Sequence, residues 1–318
     1  MAVAHRGTGG ATVRVFVAGA TGAIGRPLMT ALLTSGHEPI AMTRSAERAD
    51  ALSARGIEAC VCDAYDAPGL TRAIAEARPD QVVHLLTDLP HAFNMRRFEQ
   101  ETASTGRLRR VGTANLIAAA TAAGVERIIA ESIAFTYAPV GDWVKSEDAP
   151  LALEALPSAA DPVADLERQV QAVGGIVLRY GWLYGPGTAY TRDGSWAHAL
   201  HRRQLPIIGQ GAGVFSFVHV EDAASATVAA LEHRGPAVYN VVDDEPAPLR
   251  EWVPAFAQAI GAPKPWHAPV WLGRLAAGRL AVEMLGGLRG ASNERIKREL
   301  GWQPRYASWR EGFQTGLG

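Results

Sequence analysis

The stretch that decides the fold is Val13-Arg14-Val15-Phe16-Val17-Ala18-Gly19-Ala20-Thr21-Gly22-Ala23-Ile24-Gly25. Its first part is a short, mostly apolar run rich in β-branched residues, which predicts a buried strand. After the last glycine, apolar residues recur at helical spacing, at Leu28, Met29, Leu32 and Leu33. The glycines therefore lie in a turn that joins a strand to a helix.

This turn predicts a binding site for a dinucleotide. A helix N-terminus offers unpaired N–H groups and a partial positive charge to a pyrophosphate. Gly19 permits the tight turn, Gly22 lets a cofactor approach the backbone, and Gly25 lets the helix pack closely on the sheet. The alternative is a glycine-rich turn without a ligand, because three glycines alone are weak evidence. The predicted contacts also include Ala20, Thr21, Ala23 and Ile24.

The end of the second predicted strand bears on which dinucleotide is bound. A site for NAD usually has Asp or Glu there, which binds the ribose 2′-hydroxyl. This strand ends instead in Thr43-Arg44-Ser45. A guanidinium with neighbouring hydroxyl groups suits a 2′-phosphate, so the sequence predicts NADP(H), held by Arg44 and Ser45. The alternative for Arg44 is a solvated loop cation.

The composition is typical of an ordinary soluble enzyme. The chain has 318 residues, 48% hydrophobic and 20% charged, and its net charge of −1 gives no broad basic field for nucleic acid. No apolar run reaches the roughly 18–20 residues of a membrane span. Residues 1–10 lack the apolar segment of a secretory signal, so we expect a disordered leader.

The cysteines and histidines indicate neither a disulfide nor a metal site. Cys60 and Cys62 alternate on one predicted strand, which is a poor disulfide geometry and favours reduced thiols in a cytoplasmic protein. No cluster of Cys and His has the spacing of metal ligands, so no metal is predicted.

Strand and helix patterns alternate through the first half of the chain. We predict strands near 13–18, 38–43, 57–62, 81–86, 126–131 and 175–180, and helices near 23–35, 68–77, 98–123 and 161–173. Repeated β-α-β units predict an α/β protein with a Rossmann-type, doubly wound parallel sheet. Beyond Gly181 shorter elements predict a smaller, discontinuous α/β substrate-binding region. We place the dinucleotide-binding domain at 11–180, with 212–235 returning to it, and the substrate-binding region at 181–211 and 236–318.

Several motifs in chain order resemble the extended short-chain dehydrogenase/reductase superfamily, in its epimerase/dehydratase branch. They are the glycine turn, Asp63 after the third strand, and the segments 112–116, 178–187, 217–222 and 298–304. The resemblance implies that Asp63 contacts the adenine and that Gly181, Trp182 and Leu183 line the nicotinamide. It also implies a small-molecule substrate and a homodimer formed through the 98–123 helix.

Two further groups of residues follow from these motifs. Ligands bind at the carboxyl ends of parallel strands, which adds Leu85, Leu86, Thr87 and Tyr180 to the predicted cofactor site. Asp222 is expected to cap the helix that follows it.

The catalytic residues of this family are missing. The family uses Ser or Thr, Tyr and Lys, and the Lys is normally followed four residues later by Glu. Glu167 fits that Glu, which puts Val163 at the Lys position and Ala159 at the Tyr position. None of the lysines, Lys145, Lys264 and Lys297, lies four residues after a Tyr. Ile133 stands where the catalytic hydroxyl usually lies, with Ser132 one place before it.

A ketone that accepts a hydride becomes an alkoxide, which needs a proton or hydrogen-bond donors. Without the triad, three sources of that proton are possible. The first is another side chain, at Ser132, Tyr137, Tyr184, Thr87 or His91. The second is ordered water, and the third is a phenol of the substrate beside the ketone. We name Ser132 and Tyr137 as catalytic candidates, and His91, Tyr184 and Trp196 as candidate substrate contacts. Packing in the core or in a turn is the alternative for both tyrosines and for Trp196.

In lacking the triad, the chain resembles the atypical angucyclinone ketoreductases, such as the one of simocyclinone biosynthesis, which reduce a ketone without the usual Tyr. This resemblance implies an NADPH-dependent ketoreductase of antibiotic biosynthesis, acting on a bulky, aromatic polyketide-type secondary metabolite. One alternative is a sugar-type epimerase or dehydratase, although the loss of the Tyr base counts against it. The other is an NADP-binding sensor or scaffold protein without catalysis.

Overall fold

A computed structural model describes residues 12–90 and 95–318, with only the backbone of Met95. The predicted leader at 1–10 and His91 lie outside the described residues. The strands are β1 Arg14–Ala18, β2 Glu38–Thr43, β3 Glu58–Val61, β4 Gln81–His84, β5 Arg127–Ile133, β6 Val144–Lys145, β7 Ile176–Tyr180, β8 Trp182–Tyr184, β9 Ile207–Ile208, β10 Val214–Phe215, β11 Phe217–His219, β12 Ala237–Val241, β13 Ala247–Pro248, β14 His267–Ala268 and β15 Gly290–Ala291. The helices are α1 Gly25–Thr34, α2 Ala46–Ser53, α3 Ala67–Ala77, α4 Phe98–Arg107, α5 Thr113–Ala122, α6 Pro157–Ala172, α7 Ser195–His201, α8 Val220–Ala230, α9 Leu249–Ala259, α10 Val270–Ala277, α11 Arg279–Gly287, α12 Glu294–Leu300 and α13 Trp309–Thr315.

Seven parallel strands form the central sheet, in the order β12-β7-β5-β4-β1-β2-β3. The chain runs outward from β1 in one direction through β2 and β3, and in the other direction from β4 onward. The switch point therefore lies between β1 and β4, where open α/β sheets bind ligands. The predicted Rossmann-type, doubly wound α/β fold is confirmed.

Helices cover both faces of this sheet, which explains why its strands are apolar throughout. On one face α1 and α8 pack over Val15, Val17 and Leu178. On the other face α3 and α5 pack over Phe16 and Val82. Strands that are buried on both sides have no polar alternation, and this is the pattern that predicts them from the sequence.

The predicted boundary of the substrate-binding region at residue 236 needs a correction. Residues Ala237–Val241 form β12, which pairs in parallel with β7 and extends the central sheet. Its residues Tyr239 and Val241 are fully buried in the sheet core. The segment that returns to the dinucleotide-binding domain therefore extends to residue 241, because α8 is the crossover helix of another β-α-β unit.

The C-terminal part of the chain packs around a second core of aromatic side chains. Asp222 holds it to the first core, since its carboxylate accepts hydrogen bonds from the backbone N–H groups of Arg305 (2.7 Å) and Tyr306 (3.0 Å). The expected capping role belongs instead to His219, which accepts from Glu221 N–H at the start of α8. Among the described residues no helix is long and apolar enough to cross a membrane.

The predicted helix over 98–123 is interrupted by a π-helical turn. Helix α4 ends at Arg107, a single π-helical turn covers Leu108–Gly112, and α5 begins at Thr113. A π turn holds one extra residue and is frequently found at functional sites.

Candidate active site

The glycine turn brings β1 and α1 closer than side chains would allow. A Cβ on Gly25 would lie 2.2 Å from the carbonyl oxygen of Gly19. Gly19 has φ of +101°, and a Cβ there would lie 2.8 Å from the carbonyl oxygen of Leu85 on the strand beyond the switch point. Gly22 is exposed, and α1 begins without a side-chain cap or an acidic residue in its first turn. These features fit a bound pyrophosphate.

The residues predicted for the adenosine half lie at the ends of β2 and β3. Arg44 is exposed beyond the end of β2, and Ser45 caps α2 by accepting from Arg48 N–H at 3.3 Å. Asp63 is half-buried and accepts from Tyr65 N–H at 2.8 Å. This places a cation and a carboxylate on the same side of the glycine turn.

The other predicted cofactor residues, including those predicted for the nicotinamide, lie at or just after the ends of β4 and β7. Exposure increases from the buried Leu85 to the exposed Thr87, with Leu86 between them. Gly181 is packed so tightly that a Cβ would lie 2.4 Å from Ser216 O, and Trp182 and Leu183 are half-buried after it. The Tyr180 side chain is directed into the core instead, where its hydroxyl lies 2.7 Å from that of Thr227.

Both catalytic candidates belong to one buried polar network. The Ser132 hydroxyl donates to Glu167 Oε1 at 2.7 Å, and the Arg179 guanidinium donates to both oxygens of Glu167, at 2.8 and 2.6 Å. Arg179 also donates to the Tyr137 hydroxyl at 3.0 Å, which in turn donates to Asn240 Oδ1 at 2.6 Å. Burial raises the pKa of the Tyr137 phenol. Each hydroxyl group thus has its proton committed to a buried acceptor.

The two positions predicted to replace the family's Tyr and Lys are apolar and closed. Ala159 and Val163 lie one turn apart on α6, with 9% and 0% of their surface exposed. Ile133, predicted to stand at the position of the family's catalytic hydroxyl, is half-buried at the end of β5. These three positions provide neither a proton donor nor a cation.

Aromatic rings occupy the space beyond Ile133. Phe135 and Trp182 are stacked with ring centroids 4.2 Å apart, and Trp182 contacts Phe215 at 5.0 Å. We call these three rings the aromatic wall. Both Phe135 and Trp182 are partly accessible, and the indole N–H of Trp182 is buried without a hydrogen-bond partner among the described residues.

The two described substrate candidates lie behind this wall. Tyr184 is fully buried, burial raises the pKa of its phenol, and its hydroxyl has no partner within the described residues. Trp196 is half-buried and stacks on Tyr190 with centroids 4.9 Å apart. Both side chains therefore contribute to the second core, and Trp196 has the larger accessible surface of the two.

Two buried charge pairs near this site were not predicted from the sequence. Arg109 pairs with Glu131 at 3.1 Å, and Arg179 pairs with Glu167. The signal was present, because Glu131 and Arg179 are charged residues inside apolar strand runs. His84, at the end of β4, accepts from Leu86 N–H at Nδ1, so Nε2 carries the proton and donates to Thr113 at 3.0 Å. Burial, reinforced by Arg109, lowers the pKa of His84 to about 4.

Comparison with known proteins identifies the family. A family model described as NAD dependent epimerase/dehydratase family matches residues 15–241. The chain belongs to this family. The protein is thus an enzyme of a nicotinamide-dependent family, as the motifs predict.

Among curated relatives, the 3-diazoavenalumate denitrifying reductase of a Streptomyces species is 44% identical, over 95% of this chain and 99% of its own length. The 4-hydroxy-2-methyl-3-oxo-4-farnesyl-3,4-dihydroquinoline-1-oxide ketoreductase of Stigmatella aurantiaca is 26% identical over 92% of each chain. A solved UDP-glucose 4-epimerase from Thermus thermophilus, in complex with NAD, matches with a TM-score of 0.71 at 25% identity, covering 96% of this chain and 97% of its own. The homodimer, the cytoplasmic location and the roles of single residues stay predictions.

The buried network around Arg179 predicts a large effect on stability. Glu167→Gln should lower the free energy of unfolding by roughly 3–5 kcal/mol, because the Arg179 guanidinium loses its buried counter-charge. The matched control is Glu283→Gln, which breaks an exposed pair with Arg279 (2.7 Å) and should cost less than about 1 kcal/mol. Urea denaturation measures both. Equal losses would show that the network does not support the fold.

His84 predicts a pH dependence of stability. Its pKa is about 4 in the folded protein against an ordinary 6.5, so between these values the unfolded chain binds the extra proton. Stability should therefore fall as the pH falls from 6.5 to 4, with about 3 kcal/mol attributable to His84. His84→Gln should remove this part of the slope in denaturation curves taken across that range. Burial also lowers the pKa of His219, but this residue is present in both the wild-type protein and the His84→Gln variant, so it does not contribute to the difference between them. Identical slopes would refute the assignment.

Proposed function

We propose that the protein is an NADPH-dependent reductase of an aromatic secondary metabolite and that it works without a proton donor from the protein. The observation that carries the proposal is the closed, apolar surface at Ala159 and Val163. The nearest hydroxyl candidates, Ser132 and Tyr137, donate to buried acceptors, and we infer that neither acts as the acid. A substrate that needs no protein acid suits such a site.

The cofactor proposal rests on the turn and on the end of β2. The uncapped start of α1 and the exposed Gly22 suit the pyrophosphate, and the exposed Arg44 suits a 2′-phosphate. No carboxylate stands at the position that selects NAD. When bound, the reduced nicotinamide supplies a hydride, and the protein has to orient it toward the substrate.

We favour reductive removal of a diazo group as the reaction. The relative at 44% identity is named for this chemistry. The substrate carbon that bears the diazonium group gains the hydride and forms a C–H bond. The C–N bond breaks, and its electron pair leaves with dinitrogen. No alkoxide develops and no proton has to be delivered, which fits the apolar replacement of Tyr and Lys.

Reduction of a ketone is the second candidate. It is supported by the quinoline-oxide ketoreductase at 26% identity. The alkoxide formed by hydride addition needs a proton, and loss of a general acid typically costs about 10²–10⁴-fold in rate. A phenol of the substrate beside the ketone would replace that acid, so this candidate requires hydroxyaryl ketones.

The aromatic wall supports an aromatic substrate in both cases. Phe135 and Trp182 present a stacked, partly accessible surface next to Ile133 and Gly181, where the nicotinamide is proposed to lie. A planar ring that stacks there gains dispersion and quadrupole contacts. We propose that residues 181–211 and 242–318 form the substrate side of the cleft.

Two other functions are less well supported. Epimerases and dehydratases of this family use the Tyr as base, and Ala159 cannot replace it. A sensor or scaffold protein would bind NADPH but would never consume it, so turnover separates it from a reductase.

A substrate panel tests the reaction. The purified protein is mixed with NADPH deuterated at C4, in separate pro-R and pro-S forms. The substrates are an ortho-diazophenol, a hydroxyaryl ketone and the matching ketone without the hydroxyl group. We expect dinitrogen release and deuterium on the carbon that carried the diazo group, from one face of the nicotinamide only.

Protein-free mixtures control for direct reduction by NADPH. Turnover of the hydroxyaryl ketone alone would favour the second candidate, and equal turnover of both ketones would exclude protonation by the substrate. Tight NADPH binding without turnover of any substrate would support the sensor function.

The cofactor preference is tested by Arg44→Ala. We expect the Kd for NADPH to rise about 10- to 100-fold, because a charge-assisted contact to the 2′-phosphate is lost, while the Kd for NADH stays unchanged. Arg55→Ala removes an exposed cation beyond the other end of α2 and is the matched control. Fluorescence titration measures each constant. A parallel loss of NADH binding would contradict the assignment.

A further inference from the structure

Arg109 is a buried cation whose hydrogen-bonding capacity is mostly unused. It lies in the π turn Leu108–Gly112, and only 7% of its surface is exposed. Its Nη2 donates to Glu131 Oε1 at 3.1 Å. Its Nε is buried without a partner, and Nη1 makes no hydrogen bond within the described residues. One edge of the guanidinium is therefore unsatisfied.

Arg179 shows what a purely structural arginine looks like in this protein. It is as buried as Arg109 and also pairs with a glutamate. It lies on β7, which pairs with β5, the strand that carries Glu131. All three of its guanidinium nitrogens donate to protein acceptors. A buried charge is costly unless its hydrogen bonds are made, so the free edge of Arg109 calls for an acceptor that the described residues do not provide.

The sheet register places Arg109 beside the path of the cofactor. His84 at the end of β4 is paired with Ala130, so Glu131 lies one residue beyond that end. Leu85 occupies the same level on the adjacent strand and packs against Gly19. A dinucleotide that extends from the start of α1 toward Gly181 must cross the ends of β4 and β5. In an NADP(H) molecule the nicotinamide ribose joins the pyrophosphate to the nicotinamide, so it is the part that would cross there.

We propose that Arg109 is a cofactor-binding residue whose Nε and Nη1 edge donates to the hydroxyl oxygens of the nicotinamide ribose. It would provide from the π turn the positive charge that Val163 cannot provide from α6. Glu131 holds the guanidinium in place through Nη2. A substrate oxyanion is a poorer partner for Arg109. The proposed substrate surface, the aromatic wall, has Phe135 and Trp182 beyond the ends of β5 and β7, whereas Arg109 pairs with Glu131 inside β5. This inference rests on the proposed cofactor but not on the proposed reaction.

The test compares two ligands that share the adenosine half. NADPH contains the nicotinamide ribose, whereas 2′,5′-ADP lacks it. The first variant is Arg109→Lys, which keeps a charge opposite Glu131 but has no Nε and Nη1 edge. The second is Arg109→Met with Glu131→Gln, which removes the pair without leaving a buried charge. We expect the Kd for NADPH to rise about 10- to 100-fold in both, and the Kd for 2′,5′-ADP to stay within about twofold.

The matched control is Arg179→Met with Glu167→Gln, which removes the satisfied pair. It should change the thermal midpoint but leave both dissociation constants as in the wild-type protein. Unchanged NADPH binding by Arg109→Lys and by the Arg109→Met, Glu131→Gln protein would overturn the proposal, and so would a parallel loss of both ligands. Wild-type protein that binds neither ligand would overturn the proposed cofactor as well. Lack of turnover with any substrate would count against the proposed reaction only, because the role of Arg109 is judged from the dissociation constants.

Discussion

The contact between the backbones of Gly19 and Gly25 is the constraint on which the site depends. The start of helix α1 meets the turn after β1 with no side chain between them, and a single Cβ at Gly25 would lie 2.2 Å from the carbonyl oxygen of Gly19. Because Gly19 also packs on Leu85, the same turn aligns the start of α1 with the end of β4 across the switch point. The helix N-terminus is thereby aimed along the sheet edge, where a dinucleotide can lie with its anionic centre on the N–H groups of α1.

Polar chemistry at the ends of β5 and β7 is directed into the protein. Ser132, Tyr137 and Arg179 form one hydrogen-bonded network together with Glu167 and Asn240. At the positions predicted for the family's Tyr and Lys, Ala159 and Val163 are apolar and buried, so they leave no polar group without a partner. The accessible surface that remains around the nicotinamide end is aromatic. We therefore expect a surface of this composition to favour flat, apolar rings over sugars, whose hydroxyl groups need partners.

Local patterns in the sequence were sufficient for the sheet and for the cofactor turn. Buried parallel strands are continuous apolar runs, and the glycine spacing of 19–25 has a direct steric cause. Contacts between distant segments have no such local signature. Asp222 binds the backbone of residues 305 and 306, and β12 joins the sheet only after the chain has crossed by α8. Arg109 lies in the π turn, and no residue pattern in 98–123 predicts that turn.

The fate of the electron pair decides which substrates such a site can reduce. When hydride adds to a carbonyl carbon, the displaced pair stays on oxygen and must be protonated or held by donors. When hydride replaces a diazonium group, the pair leaves with dinitrogen, and the product carries no new charge. If the protein supplies no acid, as we propose, the suitable acceptors are those with a departing group, or ketones that carry their own acidic hydroxyl. In either case the task that the proposed function leaves to the protein is geometric, because Phe135 and Trp182, stacked on each other, would have to orient the substrate ring toward the nicotinamide.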